Sequence, residues 1–194
     1  MKAVVFLFLA FVFPFNGHAQ FLKRFRHSVG AAAHFIPFRN GVSTAFGGFY
    51  DPHVNIINSF TDFSLSAGVP LTLGVHVEDG FIPETFFYAH VPAVLEANIG
   101  HYSTHKFYSD IGMGLGAGYA FQVTNLGAGH GPVFTLAARS WLFKGSITLR
   151  YMFHLNMASG SGYDTHNIAL AVNMGNFFAK LRNDNAMEKW QRFK

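Results

Sequence analysis

The feature that most constrains this chain is an alternation of period two. In 63–77, Phe63, Leu65, Ala67, Val69, Leu71, Leu73, Val75 and Val77 alternate with Ser64, Ser66, Gly68, Pro70, Thr72, Gly74 and His76. In 87–99, Phe87, Ala89, Val91, Ala93, Leu95, Ala97 and Ile99 alternate with Tyr88, His90, Pro92, Val94, Glu96 and Asn98. The contrast is sharpest in 110–121, where Ile111, Met113, Leu115, Ala117, Tyr119 and Phe121 are separated by Gly112, Gly114, Gly116, Gly118 and Ala120. Residues 146–155 and 167–174 repeat the pattern, while 133–143 is less clean, with Arg139 and Trp141 on the face of Val133 and Thr135. Successive side chains of a strand point to opposite faces, so each segment reads as a strand with one apolar and one small or polar face.

The composition says where the apolar face goes. Half of the residues are hydrophobic, 17% are aromatic and only 12% are charged, against roughly 25% charged in ordinary soluble domains. Beyond the N-terminus no apolar run approaches the roughly 20 residues of a spanning helix. A chain this apolar hides its surface in a large core or in lipid. A closed barrel is the only alternative to helices for crossing a bilayer, because every backbone group must pair internally. The chain has no cysteine, so backbone pairing and packing alone must hold it. The formal charge of +4 is small, and its basic residues cluster at Lys23-Arg24-Arg26 and in the tail from Lys180 to Lys194. These are solvated ends and not a nucleic-acid surface.

The first residues read as a secretory signal. Lys2 precedes the apolar run Val4 to Phe15, and Gly17 and Ala19 stand at the −3 and −1 positions of a cleavage site. The expected organisation is a signal peptide at 1–19, a barrel at 20–178 and a polar, partly helical periplasmic tail at 179–194. Turn residues divide the barrel into eight expected strands: 29–38, 42–50, 61–77, 86–101, 109–122, 132–143, 145–156 and 166–178. Arg39-Asn40-Gly41 and Lys144-Gly145 are tight turns, while Asp51-Pro52 and Asn58-Ser59 bracket a connection. Loops 78–85, 123–131 and 157–165 fall on the outer side. Pro70 and Pro92 each remove a ladder donor, so local irregularity is expected at both. Tyr102, Phe107, Tyr108, Trp141, Phe143, Phe177 and Phe178 would form an inner aromatic girdle, and Phe86, Tyr119, Phe121 and Phe153 an outer one.

With Gly17-His18-Ala19, the alternating Phe63 to Val77 and Phe87 to Ile99 segments and the Gly112 to Phe121 run on the page, the chain resembles the small eight-stranded outer-membrane β-barrel proteins, those of Bacteroidota in particular. The resemblance covers about residues 28–178. It implies an all-β, antiparallel transmembrane barrel in the bacterial outer membrane, in contact with outer-membrane lipid and handled by the barrel-assembly machinery. One departure is that about sixteen residues follow the closing aromatics Phe177-Phe178.

Candidate site residues lie on the inward face. Glu96 and Arg150 point to the lumen, where a charge must be paired or hydrated. Ser64, Asn98 and Thr148 complete a polar plug around them. His76, His90 and His154 also face inward. With Glu96 they have the composition of a zinc site, but they come from separate strands, and the structural reading is preferred. His101 and His105 flank a turn. His101-Tyr102-Ser103 is similar to the His-x-Ser element of outer-membrane lipid A deacylases, but no suitably placed acid accompanies it. Ser159, Ser161, Asp164 and His166 match a triad in composition only. No metal, cofactor or catalytic set is assigned. The expected function is a structural, interaction or narrow-pore role. The alternatives are a lipid-modifying hydrolase and a soluble lipocalin-like barrel with an apolar ligand inside.

Overall fold

The computed structural model describes residues 25–38, 41–58, 63–76, 86–100, 111–124, 127–142, 145–158 and 163–174. Among the described residues there are nine strands: β1 (Phe25–Phe38), β2 (Gly41–Asn58), β3 (Phe63–Gly68), β4 (Leu71–His76), β5 (Phe86–Gly100), β6 (Ile111–Thr124), β7 (Gly127–Leu142), β8 (Gly145–His154) and β9 (Thr165–Asn173). All pairings are antiparallel, and β1 pairs with both β2 and β9, which closes the sheet into a ring. The chain is therefore an all-β antiparallel barrel. The expected signal peptide and C-terminal tail lie outside the described residues.

The nine strands occupy eight places in the ring. β3 and β4 both lie between β2 and β5. They are two halves of the single strand expected at 61–77, interrupted at Val69-Pro70. Gly68 pairs with Val94 and Thr72 with His90, which sets Pro70 opposite Pro92 in the same register. Neither proline has an N–H to donate, so the ladder lapses between them. On the β6 side β5 is continuous, with Pro92 paired to Ala120.

Two expected boundaries are corrected. β2 does not turn at Asp51-Pro52. It continues to Asn58, with Asp51 paired to Ser28 and Pro52 to His27, and a bulge at Ile56 shifts its register on β3. The glycine-rich segment expected as loop 123–131 is largely strand, since β6 and β7 stay paired out to Thr124 and Gly127. Asp, Pro and Gly are turn formers by local preference, but two flanking strands supply partners for the backbone and override it. β5 ends at Gly100, whose φ of +74° is open to glycine at little cost.

The two faces of the wall differ in kind. Phe46, Leu73, Leu95, Ile111, Leu115, Phe121, Leu149 and Leu170 point outward and are exposed, Leu115 to 68%. Of the expected outer girdle, Tyr119, Phe121 and Phe153 lie outside the barrel, in the half away from Phe25 and Asn173. There Tyr119 stacks on His130 and Phe153 on His166. Of the expected inner girdle, only the backbone of Trp141 falls within the description.

Candidate functional site

The lumen is a stack of three layers. The layer nearest Phe25 and Asn173 is ionic. Glu96 on β5 accepts hydrogen bonds from Arg139 on β7 and Arg150 on β8, and Thr135 adds a donor at 3.3 Å. Arg150 also donates to Asp51 of β2 at 3.0 Å, and His53 stands 3.6 Å from the same carboxylate. Arg26 donates to Asn55. Asn98 donates to Ser66 at 2.9 Å and to the Glu96 carbonyl at 3.0 Å. Beside this, Thr148 donates to Asn173 at 2.9 Å, and Asn173 donates to Ser146 at 2.6 Å.

The glycine face of β6 makes room for the ionic layer. A Cβ on Gly114 would stand 2.7 Å from Glu96 Oε1 and 2.8 Å from Asn98 Oδ1. One on Gly116 would stand 2.7 Å from Thr135 Oγ1. Two carboxylates and two guanidiniums neutralise one another there, so burial strands no net charge among these four groups. The gap bounded by Asp51, Ser66, Glu96 and Arg150 is too small for a water molecule.

The middle layer is apolar. Ala32, Phe49, Val94, Ala120, Val133, Met152, Ala169 and Ala171 pack together across the lumen. Above it lies a layer of histidine and amide groups. Asn167 Oδ1 faces Nδ1 of His34, and its Nδ2 donates to Nδ1 of His90 at 3.4 Å. This pattern puts a proton on His34 Nδ1 and a lone pair on His90 Nδ1. Tyr88 donates to Thr165 at 3.2 Å, and His154 Nδ1 donates to Gln122 Oε1 at 3.2 Å. His90 and His154 lie with ring centroids 5.2 Å apart. His76 sits apart from them, with Nδ1 2.8 Å from Ser43 Oγ and 3.0 Å from the Thr44 carbonyl.

All eight residues singled out in the sequence, Ser64, His76, His90, Glu96, Asn98, Thr148, Arg150 and His154, are buried in the lumen. They do not form one cluster. Glu96, Asn98 and Thr148 join Arg150 in the ionic layer, while His76, His90 and His154 lie on the other side of the apolar layer. The carboxylate is thus committed to arginines and not to the histidines. Among the described residues no group of three or more His, Asp or Glu is placed to hold a metal.

Sequence reasoning missed Asp51, His53 and Asn55, and left Arg139 and Asn167 without roles; it placed Arg26 at a solvated end, whereas Arg26 is an inward position of β1, buried and bonded to Asn55. The signal was available. Phe49, Asp51, His53 and Asn55 alternate inward against Tyr50, Pro52 and Val54, but the Asp-Pro turn signal cut the pattern short.

His101, Tyr102, Ser103 and His105, like Ser159 and Ser161, lie outside the described residues. Asp164 accepts a hydrogen bond from the Asn156 amide at 2.8 Å. His166 is bonded to the Tyr151 hydroxyl at 2.6 Å on the outer wall. These two triad-like residues are thus engaged separately.

The architecture has a solved counterpart. Neisserial surface protein A matches with a TM-score of 0.54 at 10% identity, over 78% of this chain and 96% of that one. Ail, the attachment invasion locus protein of Yersinia pestis, solved in complex with the heparin analogue sucrose octasulfate, matches with a TM-score of 0.43 at 10% identity, over 77% and 96%. The likeness to the Neisserial protein extends to the fold and no further. No protein-family model matches the chain, and no curated protein does.

Proposed function

We propose that this chain is a plugged outer-membrane β-barrel of a Gram-negative, Bacteroidota-like bacterium, with a structural or interaction role. The observation that carries the reading is the reversed polarity of the wall. Charged and polar side chains such as Arg150, Glu96, His90 and Asn167 are buried, while Leu115, Phe46 and Ile111 are exposed. A barrel in water would lose stability from that apolar surface, whereas in lipid it is the solvated one. A lipocalin-like reading needs the opposite arrangement. The dimensions agree: the fourteen residues of β6 span about 46 Å along the strand, or about 33 Å of barrel height at a tilt of about 45°. No helix among the described residues is long and apolar enough to cross a membrane.

The three layers favour a plug over a narrow pore. An ion would have to separate Glu96 from two arginines and then cross the apolar layer of Phe49, Val133 and Met152. The barrel then serves as a rigid stave-work in outer-membrane lipid, placed there by the barrel-assembly machinery after signal-peptide removal. The test is fractionation of the mature chain, its gel mobility with and without heating, and bilayer conductance. An outer-membrane, heat-shifted and electrically silent protein is expected. Recovery in the soluble periplasm would refute the membrane reading, and steady ion conductance would refute the plug.

A further inference from the structure

The outer wall carries a groove of about 630 Å3 where β2, β3, β5 and β6 meet. Its size lies in the range of sites that hold small apolar ligands. Its origin is a local deficit of side-chain volume. Ala67 pairs with Leu95, Leu95 with Ala117, and Ala93 with Tyr119. Three outward alanines thus sit among larger neighbours, with Val54 at one margin and Tyr119 at another. The Tyr119 ring, which borders the groove, is held against His130. Its hydroxyl is hydrogen-bonded to His130 Nδ1, and its ring stacks on the His130 imidazole with centroids 5.9 Å apart. The margin adjoins the place where Pro70 stands opposite Pro92 and the ladder lapses. The wall there has fewer hydrogen bonds to break, which lets it adapt to a flexible occupant.

We propose that this groove seats one acyl tail of a membrane lipid. The inference rests on the membrane reading above. The groove lies half-way along β5 and β6, at the height of the bilayer interior. Its outward lining is apolar, and the one imidazole bordering it, His53, belongs to an inward position of β2. A single flexible hydrocarbon chain matches a groove of this size and restores the dispersion contacts that the alanines leave unmade.

The test uses the refolded chain in phosphatidylcholine vesicles containing a trace of phosphatidylcholine with a diazirine near the end of one acyl chain. After irradiation, adducts are mapped by mass spectrometry. Adducts are expected to concentrate several-fold on 67–69, 93–95 and 117–119 over Leu149 and Leu170 of the opposite wall. Ala117→Phe and Ala93→Leu, each filling the groove from the lipid side, should return these segments to the level of the rest of the wall while the heat-dependent gel shift persists. Even labelling of both walls in the native chain would overturn the groove and leave the membrane reading standing. Chain-to-chain contacts that shield the groove from label would assign it to a second copy and overturn the proposal. Absence of label on any outward residue would overturn the membrane reading itself.

Discussion

Replacing Glu96 with Gln should be among the most damaging single changes in the lumen. Glu96 is the shared acceptor of Arg139 and Arg150, with side-chain exposures of 4%, 1% and 2% respectively. After the change Arg150 keeps Asp51. Among the described residues Arg139 has no second carboxylate within ion-pair distance, and its Nη1 lacks a hydrogen-bond partner there. A buried guanidinium is then left uncompensated, at a cost of about 3–5 kcal/mol. Asp51→Asn should fall at or below the lower end of that range, because Arg150 retains Glu96. Arg150→Met leaves the Glu96–Arg139 pair but deprives Asp51 of its guanidinium, with His53 alone beside it. Since Glu96 and Arg150 are partners, the Glu96→Gln/Arg150→Met double variant should cost less than the two singles together, by about 1–3 kcal/mol. Urea titration of the refolded barrel in phospholipid vesicles, read by its heat-dependent gel mobility, measures all four stabilities. Additivity of the two singles to within about 0.5 kcal/mol would show that the ionic layer is not coupled as the geometry requires.

Three further outcomes follow from the same packing. Leu115→Arg puts a charge on the lipid side of β6 and should cost roughly 2–4 kcal/mol in vesicle-based unfolding, and a negligible cost would mean that this face is not in hydrocarbon. Gly114→Ala should destabilise by about 1–3 kcal/mol through overpacking, because its Cβ would press on Glu96, Asn98 and Arg139, whereas Gly48→Ala, with nothing within 4 Å of its Cβ, should be neutral or slightly stabilising; equal effects in denaturant titration would contradict the packing of the ionic layer. Asn167→Ala removes the group that satisfies both His34 and His90 and should cost roughly 1–3 kcal/mol in the same assay; an unchanged urea midpoint would mean that the amide bridge contributes nothing.

The alternation by itself determined much of this protein. A period of two is a property of neighbouring residues, so the faces of β3 to β6, β8 and β9 and the inward placement of Glu96 and Arg150 were legible from short windows, while the closed sheet followed from the apolar, charge-poor composition of the whole chain. Which inward groups meet was not. Asp51 and Arg150 are separated by 99 positions, and Glu96 and Arg139 by 43. Their meeting depends on how far each strand is staggered against the next around the ring, which no window of sequence contains. The division of the lumen into ionic, apolar and histidine layers has the same origin, since the height of a side chain is the accumulated register of all the strands between it and its partner. The path of β2 through Asp51-Pro52 was also a tertiary decision. Local preference reads Asp-Pro as a turn, but β1 on one side and the β3–β4 strand on the other supply its backbone partners, and that pairing outweighs the preference and carries Asp51 into the lumen.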